Sequence, residues 1–406
     1  MATATETFES IGARPAEGVR AALGHIPAIE GLRGVAVLWV VLFHFCVVRS
    51  TGARDPWIAF VDSVQPLAIV IRNGYLGVDL FFLITGFLLA LPWFRNAALG
   101  LPPPSATGFY ERRIRRIVPA YYVQLAFLFF VFVPLLRGFD YLRHDSGFLL
   151  YNLGAHLTFL HYTTPISSAS LSINGPLWTL ALEAQYYLLL PFLAPLFVRA
   201  PWRSALALVV IATAWRWLAW HDMGPLVRAQ MSLGIWWSVP ESTIRAFIAS
   251  QLPGYLAHFA LGILAGRAWL AWYPGPGDVR RHALAGGAAI ASLGTLYWLY
   301  TGGGAIVGEL AGLASTVAMG TAMAALVSTG LPAGQWLLAN GPLQLVGRVS
   351  YSAYLYHLPL LMVANEFFPV ANDWEVFPLY LGTVLGVSWL SYRYVELPFM
   401  KASKRG

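Results

Sequence analysis

Long apolar runs separated by short polar stretches recur along the whole chain. They lie near 31–50, 74–95, 116–136, 177–198, 204–221, 254–272, 282–301, 308–329, 350–368 and 376–396. In a helix rising about 1.5 Å per residue, about 20 apolar residues cross a hydrocarbon core about 30 Å thick. The pattern therefore predicts an all-α polytopic membrane protein of about ten transmembrane helices. One further apolar stretch, 147–163, is short and holds Asn152, His156 and His161. It is assigned to an outer loop of about 137–176 as an interfacial helix, because an eleventh span would invert everything downstream. With the N-terminus inside and ten spans, most of the 26 Lys and Arg residues fall on the cytoplasmic side, as the positive-inside rule requires. Both termini are then cytoplasmic. The predicted organisation is a flexible tail over 1–26, a membrane domain over 27–398 and a short basic tail over 399–406. Residues 1–26 are interrupted by Glu6, Glu9, Arg14, Glu17 and Arg20, so they do not read as a secretory signal peptide.

Composition agrees with this picture. The chain is 58% hydrophobic and only 11% charged, against about 25% charged in soluble domains. Sixteen Trp and nineteen Tyr residues suit aromatic belts at two interfaces. The single cysteine, Cys46, excludes an intrachain disulfide and a cysteine zinc cluster; no metal site is expected. The net charge of +7 is accounted for by membrane sidedness, and nothing points to nucleic acid. Gly302, Gly303 and Gly304 lack the following lysine of a phosphate-binding loop.

Against this apolar background a few polar residues stand out. Arg33 opens the first span and His44 follows eleven positions later, about 20° away on the same helix face and about 16 Å deeper. A titratable group near mid-membrane costs about 2.5 kcal/mol or more unless it faces a protein interior or a wet cavity. Asp79 lies about two turns inside the second span; it either pairs with an arginine or orients His44 through a ring nitrogen. Thr85 and Gly86 would permit close helix approach. Before the third span, Arg112, Arg113, Arg115 and Arg116 fall within two turns, with Arg112 and Arg116 on one stripe. Planar guanidinium groups at a cytoplasmic helix end suit a phosphate-bearing ligand or anionic lipid. Glu183, two turns into the fourth span, is expected at the depth of His44 and Asp79, which would give the three a common polar cavity. Trp178 is a candidate lining residue of a substrate vestibule. Tyr354 and His357, candidate substrate-binding residues with Trp178, belong to a polar stripe on the ninth span with Ser350 and Tyr351. Arg393 and Glu396 are expected to form a structural ion pair or to join Arg348 at the cytoplasmic face.

Taken together and in order, these motifs resemble the integral membrane acyltransferase 3 family of bacterial sugar O-acetyltransferases. The resemblance rests on Arg33 with ten intervening residues and His44, the Gly-Val-Asp-Leu-Phe-Phe run with Thr-Gly-Phe, and the arginine cluster ending in Pro119. It also rests on the Pro-Leu-Trp-Thr-Leu run with Glu183, the Ser-Tyr run ending in His357, and Glu396-Leu-Pro398. Glu30 stands where the family usually shows aspartate. Some relatives carry an additional soluble esterase-like domain, for which this sequence shows no counterpart.

The resemblance implies transfer of an acyl group, commonly acetyl, from cytoplasmic acyl-CoA to a hydroxyl of a carbohydrate or glycolipid acceptor. Acetyl-CoA is then a co-substrate, and the setting is the bacterial inner membrane. Functional roles carry over to Arg33, His44, Arg113, Arg115 and Glu183. In physical terms, Arg112, Arg113, Arg115 and Arg116 would hold the CoA phosphates. His44 would act as general base or transient acyl carrier, its tautomer held by Asp79 or Glu183. A transporter or flippase of a lipid-linked sugar is the competing reading, since intramembrane charges also mark transport paths. It predicts flux without CoA consumption, and the sequence shows no inverted halves. Acceptor identity, acyl length and subunit number, a homo-oligomer included, are left open.

Overall fold

A computed structural model describes residues 26–49, 56–144, 146–168, 170–232, 240–272, 278–329, 336–369 and 372–402. Nearly all of the predicted N-terminal tail lies outside the described residues, as do residues 403–406. Among the described residues a long helix stands at each of the ten predicted positions. These are α1 (Pro27–Arg49), α2 (Leu76–Ala98), α3 (Ala106–Phe127), α5 (Trp178–Arg199), α6 (Pro201–His221) and α7 (Leu252–Trp272). They continue with α8 (Val279–Trp298), α9 (Ala311–Ser328), α10 (Gly341–Phe367) and α11 (Asp373–Ser391). The short α4 (Ser146–Leu157) occupies the predicted outer loop. By length and apolarity, six helical segments among the described residues are able to cross a membrane: Pro27–Arg49, Leu76–Ala98, Ala106–Arg137, Gly175–Arg199, Glu241–Trp272 and Val279–Ser328. The last is a hairpin of α8 and α9, turned at Gly302 with φ +140°.

Local chemistry sets the helix ends. Ser105 caps α3 by accepting from the Gly108 amide at 3.2 Å, and Asn340 caps α10 by accepting from Leu343 at 2.9 Å. Asn372 caps α11 through the Trp374 amide at 3.0 Å. Two π-turns, Leu128–Phe132 and Tyr392–Glu396, interrupt the regular ladder near the ends of α3 and α11. A π-turn rotates every following side chain about the helix axis.

The bundle is built on two intimate helix pairs. α2 and α7 cross at Gly86 and Gly262, where a Cβ would collide with the Phe259 and Leu83 carbonyl oxygens respectively. This is the close approach expected near Thr85 and Gly86. α1 and α10 run parallel: Glu30 faces Arg348 at 3.9 Å, Arg33 bonds Ser350, and at the other end Arg49 Nε meets Asp373 Oδ1 at 2.6 Å, both nearly inaccessible. A buried ion pair of this kind is costly to break, at about 3–5 kcal/mol for loss of one partner. Gly347 admits the Glu30 carbonyl, and any side chain there would push α1 away.

Helix α4 and the turn after it, in the loop expected to hold an interfacial helix, turn their polar residues inward. Asn152, His156 and His161 are all fully buried, turned into the bundle. The His156 and His161 rings stack at 4.2 Å with an interplanar angle of 8°. His156 Nδ1 donates to the Asn152 carbonyl at 2.7 Å, and its Nε2 accepts from the Ser170 hydroxyl at 2.8 Å. His161 Nε2 donates to the Leu177 carbonyl at 2.8 Å. Carbonyl acceptors fix both rings as neutral tautomers. Burial, and after it the neighbouring His161, brings His156 down to about 3; burial brings His161 down to about 4. The unfolded chain binds protons at these histidines from about pH 6.5 downward, and the folded chain does not. Stability from the pair is therefore fully present above about pH 6.5 and is lost as pH falls toward the folded values. Hydrogen exchange over 146–177 should accelerate between about pH 6 and 4, and a His156→Gln/His161→Phe variant should lack most of that dependence. Equal pH dependence in both proteins would contradict the assignment.

Candidate active site

The residues of interest converge where α1, α2, α3, α5 and α10 meet. Positions 78, 81, 82, 85, 88 and 89 of α2 form a helical stripe along one wall of a cavity of about 240 Å³. Arg33 enters from α1, Arg113 and Arg116 from α3, Glu183 and Tyr187 from α5, and Ser350, Tyr351 and Tyr354 from α10. Three guanidinium groups and one carboxylate thus share a single enclosure between apolar helices.

Each of these groups is held in place. Arg33 Nη2 donates to the Ser350 hydroxyl at 3.0 Å. Glu183 accepts from the Tyr187 hydroxyl at 2.7 Å and from Thr85 at 3.5 Å. Glu183 and Tyr187 stand one turn apart on α5, the i, i+4 spacing at which helical side chains meet. Tyr351 donates to the Ile117 carbonyl at 2.9 Å, tying α10 to α3. At the opposite end of the cavity, Tyr354 donates to the Pro176 carbonyl at 2.9 Å and accepts from Thr179 at 3.0 Å. Arg113 Nε is buried with no hydrogen-bond partner. A desolvated guanidinium N–H without an acceptor is costly, and an anionic group in the cavity would satisfy it.

The arginine cluster divides by face. Arg113 and Arg116, three residues apart, face the cavity. Arg112 is exposed, and Arg115 forms a half-exposed pair with Glu111 at 2.7 Å. Of the two expected neighbours of Arg116, Arg113 faces the cavity with it and Arg112 does not.

The common cavity expected for His44, Asp79 and Glu183 is not formed. Glu183 lies at the level of Arg33 and Ser350: Thr179 pairs with Tyr354, and α5 runs antiparallel to α10, so four residues bring Glu183 about 6 Å toward Ser350. Asp79 projects off the cavity stripe of α2 toward α7, where its carboxylate stands 3.6 Å from His258 Nε2. The partner of Asp79 is therefore this histidine, which also contacts Thr316 at 3.1 Å, and neither an arginine nor His44. Trp178 packs behind the wall residue Phe82 and against Tyr162 and Tyr255, and does not itself line the cavity.

His44 and His357 lie one step beyond Tyr354. The Tyr354 and His357 ring centroids are 5.5 Å apart, and those of His357 and His44 are 5.0 Å apart, the latter edge to face. Arg33 and His44 do share one face of α1, the face packed on α10. His44 Nδ1 donates to the Val40 carbonyl at 2.9 Å, so its own helix holds the tautomer that leaves Nε2 with its lone pair.

Sequence reasoning also missed one phenolic partner. Tyr187 had a signal in its i, i+4 spacing from Glu183. Glu396 is buried and accepts from Ser352 at 2.5 Å, while Arg393 is exposed. The expected Arg393–Glu396 ion pair is not shown among the described residues: both lie in the π-turn Tyr392–Glu396, one exposed and the other buried.

A polytopic helical bundle with an arginine-lined cavity and a buried histidine is an arrangement suited to transfer chemistry inside a membrane. The chain matches the acyltransferase domain profile of the acyltransferase 3 family over residues 26–393 and belongs to that family. It is 24% identical over 398 residues to the peptidoglycan O-acetyltransferase OatA of Listeria monocytogenes, covering 93% of this chain and 56% of that protein. It is 22% identical over 398 residues to the O-acetyltransferase OatA of Staphylococcus aureus, covering 93% of this chain and 57% of that protein. The chain thus spans little more than half the length of these relatives. No solved structure gives a significant match.

Glu183 is the carboxylate that shares this enclosure with Arg33, Arg113 and Arg116. Glu183→Ala should destabilise the protein by about 3 kcal/mol, and Tyr187→Phe by about 1 kcal/mol. Thermal unfolding in detergent measures both; an unchanged midpoint for Glu183→Ala would contradict the counter-charge role.

Proposed function

We propose that this protein is an O-acyltransferase of the bacterial inner membrane. It moves an acyl group, acetyl by analogy with its relatives, from cytoplasmic acyl-CoA to a hydroxyl of an envelope carbohydrate such as peptidoglycan. With ten spans and both termini cytoplasmic, as this reading takes them, the starts of α1, α3 and α10 lie on the cytoplasmic side. The observation that carries the reading is the convergence of Arg33, Arg113 and Arg116 on one cavity with a single carboxylate, Glu183.

That donor set fits an anionic group, and the partnerless Arg113 Nε supports it. At about 240 Å³ the cavity is smaller than the roughly 300–1,000 Å³ of a pocket for a whole drug-sized ligand. It suits the acyl-bearing arm, with the nucleotide held by the arginines and at the cytoplasmic mouth. Charge-assisted hydrogen bonds from guanidinium groups are about twice as strong as neutral ones, so they anchor the donor while the acyl end points toward Tyr354 and the histidines. His44 is the general base: its fixed Nδ1–H leaves Nε2 able to take a proton from the acceptor hydroxyl. The hydroxyl oxygen bonds to the acyl carbon, the carbon–sulfur bond breaks, and the proton passes to the departing thiolate.

Membranes containing the full chain, given radiolabelled acetyl-CoA and cell-wall glycan, should form a hydroxylamine-labile ester on the glycan. His44→Ala should reduce the rate by about 100-fold or more. Full transfer by His44→Ala would rule out the base role, and no transfer by the wild type would rule out this donor and acceptor pair.

A further inference from the structure

Asp79, near the start of α2, presents a carboxylate that the described fold leaves unsatisfied. Its side chain is 20% exposed, and its contact with His258 Nε2 on α7, at 3.6 Å, is too long for a hydrogen bond. Among the described residues it accepts no hydrogen bond. His258 is committed elsewhere. The Thr316 hydroxyl on α9 donates to the Gly312 carbonyl at 2.8 Å, so at 3.1 Å its oxygen accepts from His258 Nε2–H. The proton therefore sits on Nε2, and the buried Nδ1 carries a lone pair with no hydrogen-bond partner. Carboxylate and imidazole together offer acceptors and no free donor. Leaving such groups unpaired in an apolar bundle is costly, and a donor-rich ligand satisfies them.

The surroundings narrow the class of ligand. Arg216 of α6 reaches Gly312, one turn from Thr316, and its positive charge disfavours a cation at the site. What remains is a neutral body bearing hydroxyl or amide donors. Tyr75 stands one helical turn before Asp79 and is 45% exposed. A sugar ring matches both features: neighbouring hydroxyls donate to the two oxygens of a carboxylate, and the C–H face of the ring packs on an aromatic side chain. The same aromatic surface leads to His44. The Tyr75 and Phe43 ring centroids are 5.8 Å apart, and those of Phe43 and His44 are 5.0 Å apart. His44 is partly accessible and does not line the arginine cavity, which leaves a second side open to the acceptor.

We propose that Asp79 and Tyr75 form a sugar-binding subsite for the acceptor glycan at the outer start of α2. The Asp79 carboxylate accepts from two neighbouring donors of one sugar ring, and that ring lies against Tyr75. His258 and Thr316 stand behind the carboxylate and keep it from turning into the bundle. The glycan then runs past Phe43 toward His44, on the side away from the arginines. This rests on the reading of the acceptor as a carbohydrate. It gives the two substrates separate anchors, guanidinium groups for the anionic donor and a carboxylate for the polyhydroxyl acceptor.

Calorimetric titration of peptidoglycan fragments released by lysozyme into the purified full chain, without acetyl-CoA, tests the proposal. Asp79→Asn keeps the shape and removes the charge; it should weaken glycan binding at least about tenfold, and Tyr75→Ala about fivefold. Both variants should bind CoA as the wild type does. In steady-state transfer the loss should appear in KM for the glycan, with KM for acetyl-CoA unchanged. Wild-type glycan affinity in either variant, or equal loss of glycan and CoA binding, would overturn the subsite. Should Asp79→Asn fail to fold, Tyr75→Ala, at an exposed position, decides it by the same comparison. A wild-type chain that binds CoA and no glycan fragment would instead overturn the carbohydrate acceptor on which the subsite rests.

Discussion

Three guanidinium groups enclosed among apolar helices impose the strongest constraint on this protein. Arg33, Arg113 and Arg116 line one cavity with Glu183, and charges removed from water require partners. Much of the surrounding architecture supplies them. Ser350 receives Arg33, Tyr187 and Thr85 steady Glu183, and Tyr351 ties α10 to α3 beside Ile117. Glycines at 31, 86, 262 and 347 bring the helices close enough for these short side chains to reach. The excess of positive charge that remains suits an anionic ligand.

The same arrangement separates two chemistries along α10. Ser350 to Tyr354 belong to the charged cavity, and His357 lies one turn further with His44. The Tyr354 ring, fixed through its hydroxyl to Pro176 and Thr179, stands between them. On the proposed reading, donor binding and proton transfer would occupy neighbouring compartments. An imidazole that must change charge gains from being kept apart from guanidinium groups.

Much of this was legible in the sequence where periodicity alone decides. The helical runs, the shared face of Arg33 and His44, and the need for a burial site for Glu183 follow from spacing and the cost of charge in lipid. What was not legible depends on rotation and level between helices. Asp79 and Val78 are neighbours in sequence, yet one faces His258 and the other the cavity. The level of Glu183 follows from the register of α5 against α10, which local pattern does not encode. Glu396 turns inward through a π-turn that no residue type announces. His156 and His161 read as polar loop residues because their partners are backbone carbonyls and each other's rings.

On the proposed reading the inward arginines, Arg113 and Arg116, would hold the donor and the outward pair, Arg112 and Arg115, would not. The most direct measurement is calorimetric binding of CoA to the purified full chain in detergent. Arg113→Gln/Arg116→Gln should weaken binding by at least about tenfold, as loss of charge-assisted hydrogen bonds worth about 1.5–3 kcal/mol each requires, while Arg112→Gln/Arg115→Gln should leave it close to wild type. Equal weakening by the two double variants, or no binding of CoA by the wild type, would contradict it.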